Sequence, residues 1–213
     1  MLRTAGLYIP ETMPEVRKDI WDSRIDRATE ELGRLAALGS SDAAAVLARM
    51  SQCGFEMPGT SEDDIYDSCR AAGQRGNAYA QYVAGVRESR EHRWNSAVKW
   101  LQMSCDNNFA PACLQCGQIA LWVSKKPRVA EKYFLKAMSL GNRAASIAYW
   151  GVCASGKLGL VKRIHSTVRF LPSFVAFFIC TLRNPFDVRV TCDSYPLGLP
   201  AERKGERNPP PSP

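Results

Sequence analysis

Apolar positions along this chain keep a helical spacing, and the spacing itself recurs. Residues 96–105 read SAVKWLQMSC and residues 128–142 read RVAEKYFLKAMSLGN. The two stretches align 33 residues apart: Ala97 with Ala130, Lys99 with Lys132, Trp100 with Tyr133, Leu101 with Phe134, and further on Ala112 with Ala145. Fainter copies precede them. DIYDSCRAAGQ (residues 64–74) runs into Gly76-Asn77-Ala78, and LGRLAALG (residues 32–39) runs into Ser41-Asp42-Ala43. Each copy is an aromatic- or leucine-bearing helix, a Gly or Asn stop such as Gly141-Asn142, and an alanine-rich helix.

That unit has a simple physical basis. Glycine or asparagine just past the last turn accepts the left-handed conformation and ends a helix. Alanines four apart, such as Ala80 and Ala84, fall on one helical face. Small side chains there let two helices come close, and Trp100, Tyr133 and Phe134 fill the groove between neighbouring units. One helix pair cannot bury its apolar face alone, so such units stack. The pattern predicts an all-α chain with helices near residues 20–38, 41–52, 62–73, 77–88, 94–106, 109–122, 127–139 and 142–154, in about four antiparallel pairs.

The pattern divides the chain into a lead segment (residues 1–19), a helical array (20–156, best marked over 60–156), a basic and hydrophobic segment (157–190) and a tail (191–213). Gly156-Lys157-Leu158-Gly159 breaks the array. The segment Leu160–Leu182 that follows has three readings. Phe170, Leu171, Phe174, Phe177 and Phe178 suit a terminal cap, because an array needs its last apolar face covered. Lys157, Lys162, Arg163 and Arg169 ahead of those aromatics suit an interfacial anchor on an anionic membrane surface. A true span would use Ile164–Leu182 and bury Arg169 at real cost. The closing residues, Ala201–Pro213, are charged and then proline-rich, a composition that favours disorder.

Composition adds limits. The chain is 46% hydrophobic and 23% charged, ordinary for a folded protein. The net charge of +7 is carried by the later part, since residues 1–60 are slightly acidic. No helix-turn-helix, zinc finger or aromatic ribonucleoprotein motif accompanies it, so nucleic acid is not expected as a partner. The first residues carry prolines and acids and form no apolar run, unlike a secretory signal. The expected location is therefore the cytoplasm, with residues 157–190 offering a route to the inner membrane surface, and the eight cysteines are expected mostly as thiols.

Little here points to catalysis. There is no nucleophile elbow, phosphate-binding glycine loop or H-E-x-x-H pattern. Gly151-Val-Cys153-Ala-Ser155-Gly156 resembles a nucleophile turn but falls where a repeat helix should stop. Glu62, Asp63, Asp64 and Asp67 open a helix, where acids favour the positive end of its dipole. Cys113-Leu-Gln-Cys116 has half the spacing of a zinc site, with no second pair and only His92 and His165 as histidines. The reading is a non-enzyme with no cofactor and no metal.

The A-V-K-W-L and A-E-K-Y-F-L-K-A-M-S-L-G-N stretches, followed by alanines, resemble the Sel-one-like repeat, a relative of the tetratricopeptide repeat. The resemblance covers residues 60–156 well and 20–60 loosely. It implies a right-handed α-solenoid that binds proteins on its concave face, lined by the helices starting near Asn77, Phe109 and Asn142. Gln81, Gln115, Gln118 and Tyr149 are the partner contacts it suggests, beside a repeat core of Ala80, Ala84, Ala97, Trp100, Ala112, Ala130, Tyr133, Phe134, Gly141 and Ala145. The chain departs from the family at the glycine-rich loop between paired helices: Gly85-Val86 leads instead into RESREHRW, and Gly117 into QIALWV. A cysteine-rich branch of the family implies a disulfide between Cys105 and Cys113. The lack of an export signal favours two buried thiols, and both states stay open. The functional expectation is a protein-binding scaffold, the alternative a membrane-anchored repeat protein with residues 157–190 as the anchor.

Overall fold

The computed structural model describes residues 7–55, 57 and 61–183. The tail assigned to residues 191–213, and residues 184–190 of the preceding segment, lie outside the described residues. The described residues are all-helical and contain no strand. In order the helices are α1 (Pro14–Trp21), α2 (Ile25–Ala37), α3 (Ser41–Gln52), α4 (Glu62–Gln74), α5 (Ala78–Arg90), α6 (Trp94–Asp106), α7 (Ala110–Trp122), α8 (Pro127–Ser139), α9 (Arg143–Ala154) and α10 (Leu160–Arg183). Helices α6 and α8 begin 33 residues apart, as do α7 and α9. Each helix packs on its neighbours in sequence, and α3 also meets α5.

The helix expected over residues 20–38 begins only at Ile25, and Ile20 and Trp21 instead close α1, because Ser23 takes a positive φ of 61° and turns the chain between α1 and α2. The Gly-Asn dipeptide proves to be a stop joined to a start. Gly76 and Gly141 sit at φ 98° and 87° just past α4 and α8. The next residues, Asn77 and Asn142, donate their backbone N–H back to Ala72 O (3.2 Å) and Ala137 O (3.0 Å), closing the outgoing helix. The same asparagine side chains accept from Ala80 N (2.8 Å) and Ala145 N (2.9 Å), opening the incoming one. Asn77 also donates from Nδ2 to Asp42 Oδ1 at 2.7 Å and so ties α5 to the start of α3.

Three junctions use His92, Asn108 and Lys125 at the left-handed position, with φ 59°, 61° and 55°. Asparagine tolerates that region, but a lysine Cβ crowds the following carbonyl. Lys125→Gly should therefore stabilise the protein by about 0.5–1 kcal/mol in reversible urea denaturation, the relief of strain outweighing the freer unfolded chain.

Two helical glycines set the closest helix pairs. A methyl group at Gly85 of α5 would sit 2.6 Å from Leu101 Cγ of α6. One at Gly117 of α7 would clash with the ring of Phe134 of α8, 2.4 Å from its Cε1. Leu101 and Phe134 are themselves buried. Gly85 and Gly117, which the resemblance treats as misplaced loop glycines, are contact surfaces. The expected core residues Ala80, Ala84, Ala97, Ala112, Ala130, Phe134 and Ala145 are buried, while Trp100, Tyr133 and Gly141 are half-buried.

Candidate partner-binding surface

Helices α3, α5 and α7 are buried almost all round. In α5 the run from Tyr79 to Val86 is enclosed, and in α7 the run from Ala110 to Gly117. Helices α4, α6 and α8 each keep an exposed face. The lead segment, Leu7 to Met13, belongs to the same core. Leu7 and Ile9 are fully buried in it, although Leu7–Pro10 has no regular secondary structure. Arg17 of α1 holds this stretch by donating from Nη2 to Ile9 O at 2.8 Å.

Tyr8 is the contact that links the lead segment to the array. Its ring meets Tyr79 edge-on with centroids 5.0 Å apart, and Phe109 at 5.6 Å. Phe109, the residue before α7, packs in turn against Tyr82 at 5.3 Å. The result is an aromatic cluster shared by the start of α5, the α6–α7 turn and a piece of chain without regular secondary structure. Aromatic pairs at these separations and tilts are attractive beyond the area they bury. The Tyr79 hydroxyl is buried and has no hydrogen-bond partner, and burial pushes its pKa well up.

Of the four residues expected to touch a partner, three are buried and one is half-buried. Gln81 is buried and both ends of its amide are used: Nε2 donates to Gly73 O and Oε1 accepts from Asn107 Nδ2, each at 2.9 Å. It braces α4, α5 and the end of α6. Gln115 is buried in α7, and Gln118 is half-buried with its Oε1 lacking a partner. The Tyr149 hydroxyl donates to Glu131 Oε1 at 3.4 Å, and Lys162 pairs with the same oxygen, so α8, α9 and α10 are joined there. Burial pushes the Tyr149 hydroxyl up to about 12. Gln81 and Tyr149 thus make internal contacts, at different places in the fold. The aromatic cluster that sequence reasoning missed had one visible signal, the triplet Leu7-Tyr8-Ile9 ahead of Pro10, too short to count as an apolar run.

A second polar centre lies where α4, α5 and α6 meet. Glu88 of α5 is buried and accepts from the Tyr66 hydroxyl (2.9 Å) and from Arg93 Nε (2.7 Å). The hydrogen bond from Arg93, helped by that from Tyr66, outweighs burial and holds the Glu88 carboxyl below its ordinary range. The Arg87 guanidinium lies over the Tyr66 ring, 4.0 Å from its centroid.

Of the two cysteine states left open, the structure has the bonded one. Cys105 and Cys113 form a disulfide across the α6–α7 junction, with Cα atoms 4.8 Å apart. The expected pair of thiols gives way because the turn at Asn108 folds the two helices back on each other and brings both side chains, fully buried, to one point. Cys69 and Cys116 are buried thiols whose pKa burial pushes up to about 12, the opposite of an activated nucleophile. Among the described residues no cluster of three or more His, Cys, Asp or Glu side chains is placed to hold a metal ion.

These elements define an all-helical chain with a repeat-like arrangement, compatible with an α-solenoid. No family model matches the chain, and no curated protein matches it at a significant level.

Proposed function

We propose that this chain is a non-catalytic scaffold of the Sel-one-like kind, a right-handed α-solenoid that holds an extended segment of a protein partner. The observation that carries the reading is the lead segment itself. Leu7 and Ile9 are fully buried, and Tyr8 is laid against Tyr79 of α5 and Phe109 beside α7. Helical-repeat arrays present long inner surfaces to their partners, and here an extended apolar-aromatic stretch occupies the two most enclosed helices. The preferred ligand is a short extended peptide with an aromatic residue between two aliphatic ones. The repeated spacing of α6 to α9 and the Gly-Asn junctions support the same architecture.

The test uses a labelled peptide of residues 4–14 and fluorescence anisotropy. The peptide should bind full-length Tyr8→Ser, in which the internal occupant is loosened, and should bind wild type far more weakly. Adding Tyr79→Ala to Tyr8→Ser should abolish binding. A peptide that ignores both wild type and Tyr8→Ser would make the lead segment a fixed part of the core and remove the support for a peptide-holding scaffold.

A further inference from the structure

Among the described residues, helix α10 presents an exposed apolar face. It packs chiefly on α9, burying Ser166 and half-burying Ser173, Ala176 and Phe177. On the opposite side Val161 is 82% exposed and Ile164 67%, and Leu171, Phe174, Val175 and Phe178 continue the exposed stripe. These residues fall at helical spacing along one broad face. Exposed apolar residues gathered on one helix face mark an interaction surface rather than scattered exposure.

The charge around it selects the occupant. The α10 sequence contains Lys162, Arg163, Arg169 and Arg183 and no acidic residue. At its start, a groove of about 510 Å³ is lined by Arg128 and Lys132 of α8 together with Lys157 and Lys162. The carboxylate in that lining, Glu131, is already held by Lys162 and Tyr149. Lys157 lies over the ring of Trp122, itself 43% exposed, at 4.8 Å. An apolar stripe with cations and an exposed tryptophan at one end is the composition of a helix that lies in a lipid interface. No described helix is long and apolar enough to cross a membrane, which separates lying on the bilayer from spanning it.

We infer that α10 is a peripheral docking helix for an anionic lipid bilayer. Val161, Ile164, Leu171, Phe174 and Phe178 enter the boundary between headgroups and acyl chains, and the cations at the start of the helix meet the lipid phosphates. This inference does not depend on the peptide-holding reading.

Co-sedimentation of the full chain with vesicles tests it. The protein should pellet with phosphatidylcholine vesicles containing phosphatidylglycerol and stay in solution with phosphatidylcholine alone, and added salt should weaken binding. Ile164→Ser/Phe174→Ser/Phe178→Ser changes only exposed side chains and should keep the helical circular dichroism. It should lower vesicle binding by more than about tenfold. Arg128→Glu/Lys157→Glu should weaken anionic-vesicle binding while leaving the apolar stripe intact. Failure to pellet with anionic vesicles, or undiminished pelleting of the triple serine variant, would overturn the inference. So would a dimer in analytical ultracentrifugation that the triple variant converts to monomer while neither form binds vesicles. The stripe would then be a contact between two copies of the chain.

Discussion

Gly117→Ala should destabilise the protein by about 2 kcal/mol, and Gly151→Ala should stabilise it by about 0.5–1 kcal/mol. Both glycines are helical, so both substitutions gain the same helix propensity, about 1 kcal/mol at most. What differs is the space. An added methyl at Gly117 comes within 2.4 Å of the ring of Phe134, which is 1% exposed and shut in by α7 and α8. A rigid ring cannot swing aside as a flexible side chain would, so the helices must part or the ring must leave its rotamer. Overpacking of this sort costs about 1–3 kcal/mol. Gly151 has nothing within 4 Å of the same methyl position. Reversible urea denaturation of the two variants decides the matter by sign. If both stabilise, the close approach of α7 and α8 is not held by Gly117.

Glu88→Ala should cost about 2–3 kcal/mol at neutral pH, and the cost should shrink in acid. The substitution strips the buried Tyr66 hydroxyl of its acceptor and Arg93 of its anion. Arg93 is half exposed and water can take over part of its role, which keeps the figure below that for a fully buried pair. The pH dependence follows from the lowered pKa of Glu88. In the unfolded chain a glutamate titrates near 4.3, as a rough reference value. Stabilisation from the ionised carboxylate is complete above that value and is lost as pH falls through the lower, folded pKa. Wild type and Glu88→Ala should therefore differ most near neutrality and converge toward about pH 3. A gap that is the same at both ends would assign the loss to packing rather than to charge. Glu88→Gln, which keeps the shape, should show the smaller loss at neutral pH.

The helices α3 to α9 were legible in the chain because apolar spacing runs through all of them, and at three junctions a second signal agrees. Apolar spacing marks the faces, and Gly-Ser or Gly-Asn pairs mark the junctions, as at Gly39-Ser40, Gly76-Asn77 and Gly141-Asn142. The boundary between α1 and α2 was hidden because Ser23 supplies the left-handed turn without glycine or asparagine. The roles of Gly85 and Gly117 were hidden for a different reason. A glycine inside a helix says only that something may come close, and what comes close is Leu101 or Phe134 from the next unit. Trp150 stands 33 residues after Gly117, so the close approach marked by Gly85 and Gly117 has no third glycine at that register. Gln81 looked like a surface amide because its neighbours are small. Its burial depends on Asn107 reaching across from the end of α6, a contact that spacing alone does not reveal.

The aromatic cluster around Tyr8 has a consequence for the order of assembly. Most packing in this chain joins consecutive helices, the local topology that lets units form as soon as their residues are available. Tyr8 is an exception: it stands near the start of the chain and meets Tyr79 and Phe109 far along it. During synthesis the early helices can pair while the lead segment still lacks its partners, since domains form from the N-terminus onward as the chain emerges. The segment docks only after the α6–α7 turn exists. The lead segment, made well before the residues it meets, is thus among the last to be locked, and its docking fastens it to helices made much later.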